Sequence, residues 1–223
     1  MRFLAVADIH GRPDRLRHIR DTLAQHTVDA LVVAGDLCRW FCRPEALLEG
    51  LQRLRLPVMA IRGNSDPRRL EDRFAVYSRI TSLHLQAVPC GGVSFVGAGG
   101  TVALPFASRL DWRERIIEET LCRLLTPQSV LVVHPPPRGV LDRVAGRFHA
   151  GCRTVNRVIA ACRPQLVLCG HIHEQPGVAS LGDTVVVNCT LGRGGGALVE
   201  LAQGQRPRVR MLSARYPLVR RLL

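Results

Sequence analysis

Short apolar runs rich in β-branched residues alternate along the chain with longer segments that carry apolar residues at helical spacing. The apolar runs predict buried strands at 3–7, 30–34, 58–61, 93–96, 130–133 and 166–168. The segments with helical spacing predict helices at 12–26, 44–55, 110–125 and 154–161. The first half of the chain therefore has a β-α-β-α-β pattern, which is typical of a parallel sheet covered by helices.

The pattern changes after residue 176, where short strands are separated only by turns. These strands are predicted at 177–179, 184–187, 197–201 and 209–212. They favour a second, more antiparallel sheet. We expect a single domain over residues 1–223, with a basic strand or tail at about 206–223.

Two helix starts and three glycine-rich stretches complete this outline. Asp111 and Thr154 are expected to cap the amino ends of their helices. The stretches at 91–92, 97–100 and 192–196 are interpreted as turns, because none has the spacing of a dinucleotide-binding loop.

The basic residues of this chain are all arginine. With 31 of them against 18 acidic residues, the formal charge is +13, so the molecule should attract anions. The alternative is that most of this charge is surface background, produced by a coding bias toward arginine. The absence of lysine excludes a P-loop lysine, a Schiff base and a lysine general base. An aromatic content of 4% argues against a stacking surface for single-stranded nucleic acid.

The eight cysteines include no C-x-x-C pair and are interpreted as reduced thiols. Cys169 and Cys189 end apolar runs, where a small buried residue is expected. The start of the chain shows no secretory signal, and no segment is long and apolar enough for a membrane span. We therefore expect a cytoplasmic protein without a membrane partner, and the sequence leaves its oligomeric state open.

Polar side chains with metal-binding chemistry follow the predicted strands. Asp8 and His10 stand two apart in D-I-H, so both side chains can reach one ion. Asp36 follows the second strand in A-G-D, and Asn64 follows the third in R-G-N-S-D. In open α/β sheets this carboxyl edge is where ligand sites gather.

Three histidines occupy the same kind of position later in the chain. His134 follows the strand at 130–133, and His171 and His173 follow the next one in G-H-I-H. A single D-x-H or H-x-H is usually accidental. Four of eight histidines and one of three asparagines at strand ends are hard to attribute to chance.

The ordered motifs D-x-H, G-D, G-N-x-D, H and G-H-x-H resemble those of the calcineurin-like metallophosphoesterase superfamily. H-P-P-P-R-G-V-L-D from His134, C-G-H-I-H-E from Cys169 and V-V-N from Val186 look most like the small MPPED-type branch. The resemblance spans roughly residues 5 to 190. It implies an α/β fold, a four-layer α/β/β/α sandwich of two mixed sheets flanked by helices.

The resemblance also implies a centre of two divalent metal ions. The ligands of one ion would be Asp8, His10, Asp36 and His173. The ligands of the other would be Asp36, Asn64, His134 and His171, with Asp36 as the bridge. Imidazole ligands favour transition metals over Mg²⁺ or Ca²⁺, so Mn, Fe and Zn are the candidates.

The implied reaction is hydrolysis of a phosphoester by a hydroxide that bridges the two ions, without a covalent enzyme intermediate. Asp36, Asn64 and His134 would be the catalytic residues among the ligands. Many relatives have a histidine where this chain has Ser65, and that histidine is thought to protonate the leaving group. A serine hydroxyl is too weak an acid for this role.

Other residues are candidates for supporting roles. Arg138 and His149 are proposed to contact substrate. Arg39 and Arg62 either contact substrate phosphate as well or are ordinary exposed arginines. Outside the ligand set, Asp66 either orients the loop of Asn64 or only caps its turn. Glu174 and Asn188 are similar cases.

Three functions are compatible with the sequence. The first is a metal-dependent phosphodiesterase of small phosphoester substrates, cyclic nucleotides among them. The second is a nuclease acting on DNA or RNA, for which the +13 charge is the argument. The third is a non-catalytic scaffold, which is disfavoured because all seven candidate ligands are present.

Overall fold

The computed structural model of this chain describes residues 1–39, 43–104 and 106–214. Within these ranges the elements are β1 (Arg2–Val6), α1 (Pro13–Gln25), β2 (Ala30–Ala34), α2 (Glu45–Gln52), β3 (Val58–Ile61), α3 (Leu70–Phe74), β4 (Ile80–Ser82), β5 (Ala87–Cys90), β6 (Val93–Ala98), β7 (Val102–Leu104), β8 (Ala107–Arg109), α4 (Glu114–Leu124), β9 (Val130–Val133), β10 (Arg143–Val144), β11 (Phe148–His149), α5 (Arg153–Cys162), β12 (Leu166–Cys169), β13 (Gly177–Leu181), β14 (Thr184–Asn188), β15 (Ala197–Glu200) and β16 (Arg208–Met211).

Two six-stranded mixed sheets organise these elements. The strand order is β16-β15-β1-β2-β3-β4 in the first sheet and β13-β14-β12-β9-β6-β5 in the second. In the first sheet β1 to β4 are parallel, and β15 and β16 continue it in antiparallel fashion. In the second sheet β14, β12, β9 and β6 are parallel, with antiparallel β13 and β5 at the edges.

Side chains of the parallel strands are buried on both faces. In β1, Phe3 and Ala5 belong to the core between the two sheets, while Leu4 and Val6 belong to the core under the helices. This alternation follows from the two-residue repeat of a strand. The ring of Phe3 meets that of Phe95 in the second sheet edge to face, with centroids 5.4 Å apart.

Helices cover the outer face of each sheet. Ile19, Leu48 and Phe74, from α1, α2 and α3, pack in the core of the first sheet. Leu121 and Val158, from α4 and α5, pack in the core of the second. The predicted four-layer α/β/β/α sandwich of two mixed sheets is confirmed.

The prediction that the last four strands together form a second, more antiparallel sheet was wrong. β13 and β14 belong to the second sheet, where β14 is parallel to β12, whereas β15 and β16 belong to the first sheet. The chain changes sheets at 189–191, where Ala7 donates to the carbonyl of Cys189 and accepts from the amide of Leu191. Turn-separated strands can pair with any open edge, so their pattern alone does not assign them to a sheet.

Both predicted helix caps were also wrong. α4 has Arg113 at its cap position, and Asp111 instead accepts the backbone N–H of Arg113 at 2.9 Å. α5 has Cys152 at its cap position, so Thr154 lies inside the first turn. Gly97, predicted in a turn, is part of β6.

The remaining expectations concern burial and the end of the chain. Cys169 and Cys189 are fully buried, as predicted. The predicted basic strand is the edge strand β16, and the tail at 215–223 lies outside the described residues. Among the described helices, none combines the length and apolar character needed to cross a membrane.

Candidate metal centre

The three parallel strands β1, β2 and β3 end side by side and bring three candidate ligands to one edge of the first sheet. Asp8, Asp36 and Asn64 follow these strands in that order. Backbone hydrogen bonds tie the first two loops together, from the amide of Asp8 to the carbonyl of Gly35 (3.0 Å) and from His10 to Asp36 (2.9 Å).

The second sheet contributes its ligands to the same place. His134 follows β9, and His171 and His173 follow the neighbouring parallel strand β12. Gly170 donates its amide hydrogen to the carbonyl of His134 at 2.9 Å. The amide of His171 lies 3.1 and 3.3 Å from the carboxylate oxygens of Asp8, so this carboxylate joins the two sheets.

Four of the seven candidate ligands have left-handed backbone conformations. The φ angles are 62° for Asp8, 54° for His10, 52° for Asp36 and 68° for His171. Such a conformation costs a non-glycine residue roughly 1–2 kcal/mol. The strands therefore end in sharp turns whose strain is retained at the site, as is common at functional positions.

Close packing explains why glycine precedes two of the ligands. A Cβ on Gly63 would lie 2.8 Å from Cγ of Asp36, and a Cβ on Gly170 would lie 2.7 Å from Oδ2 of Asp8. Neither distance is compatible with a side chain. The motifs G-N and G-H thus meet a steric requirement of the carboxylates beside them.

One cluster able to hold a metal ion consists of Asp8, His10 and His173. Nε2 of His173 lies 3.1 Å from Oδ1 of Asp8 and 3.4 Å from Nε2 of His10. Nε2 of His10 also lies 3.7 Å from Oδ2 of Asp36.

A second cluster, of Asp8, Asp36 and His134, lies beside the first. Nε2 of His134 lies 3.4 Å from Oδ1 of Asp36, 3.9 Å from Oδ1 of Asp8 and 3.1 Å from Oδ1 of Asn64. Asp36 therefore turns one oxygen toward His10 and the other toward His134. This is the orientation that a bridging carboxylate requires.

Burial and mutual attraction shift the pKa values of these groups. Burial raises the pKa of Asp8, but His173, His134 and His10 outweigh it and hold that pKa well below its ordinary value. Burial lowers the pKa of His134, but Asp36 and Asp8 outweigh it and raise the pKa to about 9. Without metal the site is a network of buried ion pairs, and a metal must displace protons from it.

Two of the imidazoles, those of His134 and His10, are oriented through Nδ1, the nitrogen that faces away from the carboxylates. Nδ1 of His134 lies 2.8 Å from the carbonyl oxygen of Ala34, which can only accept. Nδ1 of His10 lies 3.3 Å from Oγ of Ser65, whose own hydrogen is donated to the carbonyl of Cys38. Each of these ring nitrogens must therefore donate, which leaves Nε2 to act as the ligand atom.

His171 is oriented in the opposite sense by Ser108. Its Nε2 lies 3.1 Å from Oγ of Ser108, and that hydroxyl donates its hydrogen to the carbonyl of Ala150 at 2.7 Å. The ring therefore donates from Nε2, and Nδ1 is the nitrogen available for a metal. Burial lowers the pKa of His171 to about 4, with His134 as a further cause, so the ring is neutral near pH 7. No sequence signal identifies Ser108, because it lies in the short hairpin β7–β8.

Asp66 acts on the ligand loops through their backbone. Its carboxylate accepts the amides of Gly63 (2.7 Å), Leu37 (3.1 Å) and Cys38 (2.6 Å). The loop of Asn64 is thereby fastened to the loop of Asp36. Burial and the nearby Asp36 raise the pKa of Asp66 to about 7, against the effect of these amides.

The supporting residues expected from the sequence have different surroundings. Nη1 of Arg138 donates to the carbonyls of Phe106 (2.9 Å) and His149 (3.2 Å). Nδ1 of His149 lies 2.6 Å from the buried carboxylate of Asp142. These contacts tie together the loops around the site, and substrate contact by Arg138 and His149 stays a prediction.

Asn188 and Glu174 also differ from each other in their surroundings. Nδ2 of the fully buried Asn188 donates to the carbonyl of Ile172 at 2.8 Å, between the two histidines of G-H-I-H. Glu174 forms no side-chain hydrogen bond or ion pair with any residue that the structure describes. A supporting role for Glu174 stays a prediction without a contact behind it.

We predict that Gly63→Ala weakens metal binding at least ~10-fold and lowers the melting temperature, because overpacking a full site costs about 1–3 kcal/mol. Gly177→Ala is the matched control, since its Cβ would meet nothing closer than 3.5 Å. Titration calorimetry with Mn²⁺ and thermal unfolding check both. Equal behaviour of the two variants would show that the site tolerates the extra carbon.

We also predict that the metal-free protein loses stability as the pH rises from 6.5 to 9. The folded-state pKa of His134 is raised from 6.5 to about 9, so its ion pairs stabilise the fold fully below pH 6.5 and are lost through pH 9. In chelator, Tm should fall by about 5 °C or more over this range. The dependence should be shallower in His134→Gln, and a constant Tm in the unaltered protein would refute the network.

The chain is similar to several known proteins. The chain is 26% identical to uncharacterized protein MJ1162 of Methanocaldococcus jannaschii, over 84% of this chain and 87% of that protein. A stretch of 71 residues, 30% of this chain and 22% of that protein, is 39% identical to metallophosphoesterase domain-containing protein 1 of Homo sapiens. The fold is similar to that of a dimetal phosphatase, LOC 393393 of Danio rerio, with TM-score 0.59, 12% identity and 96% of each chain covered.

A match to a family model shows the family to which the chain belongs. Residues 1–175 match the calcineurin-like phosphoesterase family, and this range contains all seven candidate ligands. The resemblance carried by the ordered motifs is thereby confirmed. The chain belongs to the calcineurin-like phosphoesterase family.

Proposed function

We propose that this protein is a two-metal phosphodiesterase that acts on small phosphodiesters, cyclic nucleotides among them. One observation carries the proposal. At the carboxyl edge shared by the two sheets, the carboxylates of Asp8 and Asp36 lie 3.1–3.9 Å from the Nε2 atoms of three imidazoles. This mixture of oxygen and nitrogen donors suits Mn, Fe or Zn.

Two ligand sets fit the arrangement. Asp8, His10, Asp36 and His173 would hold one ion, and Asp36, Asn64, His134 and His171 the other. The orientation of Asp36, with separate oxygens toward His10 and His134, supports its assignment as the bridge. The hydrogen bonds that fix the ring tautomers support Nε2 of His10 and His134 and Nδ1 of His171 as ligand atoms.

The charge left at this centre suits an anionic phosphoester. When bound, the two ions supply a hydroxide nucleophile near neutral pH and offset charge on the phosphoryl oxygens. Two carboxylates and that hydroxide reduce the four positive charges to about one. This remainder attracts the negative charge of a phosphodiester. Asn64 contributes a donor oxygen without altering the balance.

Ser65 does not supply a proton to the leaving group. Its side chain is buried, and its hydrogen is committed to the carbonyl of Cys38. The proton must come from solvent or from another acid. His149, whose Nδ1 is held by Asp142, is our candidate for that acid. A cytoplasmic location stays a prediction of the sequence, and Mn, Fe and Zn stay the candidates for the native metal.

The direct test of this function is a metal-supplemented assay of aryl and cyclic-nucleotide diesters, run beside monoesters and DNA. We expect two metal ions per chain by elemental analysis, hydrolysis of the diesters, and loss of activity in chelator with recovery on adding Mn²⁺. A single bound zinc with activity unaffected by chelator would contradict the proposal.

We predict that Asp36→Asn is more damaging than His10→Ala. Removing the bridging charge disturbs both ions, whereas His10 serves one. Asp36→Asn should lower kcat by about 10³-fold or more and reduce bound metal below one ion per chain, while His10→Ala should retain one. Both variants must melt cooperatively. Two bound metals and near-normal kcat in Asp36→Asn would place the bridge elsewhere.

The last prediction concerns the missing acid at Ser65. An alkoxide needs a proton to leave and a nitrophenolate does not, so turnover should fall steeply as the leaving-group pKa rises. Ser65→His should raise kcat for poor leaving groups by up to about 10²-fold and change little for aryl esters. The measurement is a series of diesters of graded leaving-group pKa at saturating substrate.

Ser65→Ala is the control for this experiment, because it also removes the contact with His10 but adds no acid. The bound metal content of both variants must be measured. A flat dependence in the unaltered protein would mean that another acid already supplies the proton. This result would end our account of Ser65 and direct attention to His149.

A further inference from the structure

A cleft opens beside the candidate metal centre, and most of the residues that line it are not candidate ligands. It has a volume of about 850 Å³, and Asn64 and Ser65 form part of its wall. The opposite wall is formed by the segments 100–103 and 110–113. This volume lies in the range of small-molecule sites, and the position puts any occupant next to a group bound at Asn64.

Hydrogen bonds fasten both walls of this cleft. The amide of Gly100 donates to the carbonyl of Arg62 at 2.7 Å and joins the two walls, and Nε of Arg62 lies 3.3 Å from Glu71. In the opposite wall, Glu114 accepts the amide of Leu110 at 3.1 Å and Nε of Arg109 at 3.1 Å. The cleft is therefore a feature of the folded chain and not a gap between loose loops.

The cleft presents an indole ring. Trp112 is 62% exposed, which is unusual for the largest apolar side chain. The guanidinium carbon of Arg109 lies 5.6 Å from the ring centroid. A planar aromatic group in the cleft would cover apolar surface of the indole that water now covers.

Positive charge surrounds this ring. Arg62, Arg68 and Arg113 line the cleft, and in the described part of the chain the guanidinium groups of Arg68 and Arg113 form no ion pair. The two acids in the lining are already engaged, since Asp66 binds three backbone amides and Asp111 accepts the amide of Arg113. The reacting phosphoryl group belongs at the metal ions, so this charge suits a second anionic group.

We propose that this cleft binds the organic group of the ester, and that this group is an aromatic ring carrying its own negative charge, which favours anionic aryl esters over cyclic nucleotides among the small phosphodiesters. The inference rests on the proposed function, because it takes the phosphoryl group to lie at the metal centre. Trp112 would stack on the ring, and Arg113 with Arg68 would face the anionic substituent. The two arginines and the indole would thus determine specificity.

Binding of phosphonates, which are not hydrolysed, tests the cleft separately from catalysis. The probes are methylphosphonate, phenylphosphonate and 4-carboxyphenylphosphonate, titrated calorimetrically into the Mn²⁺-loaded protein. We expect phenylphosphonate to bind about fivefold tighter than methylphosphonate, and the carboxylated ring about fivefold tighter again. Trp112→Ala should abolish the first gain, Trp112→Phe should retain most of it, and Arg113→Gln should abolish the second.

Arg115→Gln is the matched control for Arg113→Gln. Arg115 lies two residues further along, is paired with Glu119 and lies outside the cleft, so its loss should leave all three affinities unchanged. Equal affinities of the three probes, or gains that survive Trp112→Ala and Arg113→Gln, would overturn the proposal while leaving the hydrolase activity in place. The predicted gains in a protein without hydrolase activity would instead contradict the proposed function alone.

Discussion

The buried carboxylate of Asp8 is the interaction on which the arrangement depends. Its side chain is fully removed from water, so its charge must be balanced inside the protein. His173 and the amide of His171 come to it from the second sheet, while Asp8 itself ends the central strand of the first. These contacts hold the two sheets together at the edge where the site lies. They also place His134 of the second sheet beside the neighbouring Asp36 of the first.

A second constraint acts on the imidazoles. Each ring can offer a lone pair to a metal only if its other nitrogen carries the hydrogen. The carbonyl of Ala34, the hydroxyl of Ser65 and the hydroxyl of Ser108 impose this on His134, His10 and His171 respectively. In this view Ser65 is more than a missing acid. Its hydroxyl orients His10, a candidate ligand of one metal ion. A substitution at Ser65 that alters protonation of the leaving group would therefore also alter that metal position.

Much of the candidate site is predictable from the sequence because its candidate ligands lie at strand ends. The parallel strands are short and apolar, and their carboxyl ends must meet, so the sequence alone groups Asp8, Asp36 and Asn64. The partition of the last strands was not predictable, because β15 pairs with β1 across nearly the whole chain. Ser108 was missed for the same reason, since its contact with His171 joins residues 63 positions apart.

The central claim is that two ions share Asp36 at the common edge of the sheets. Anomalous diffraction from crystals grown with Mn²⁺ tests it most directly, because it locates each ion relative to the side chains. The account predicts two peaks about 3.5–4 Å apart, with Asp36 bonded to both, Nδ1 of His171 bonded to one and Nε2 of His173 bonded to the other. A single peak among Asp8, His10 and His173, with Asp36 bonded to no second ion, would contradict it.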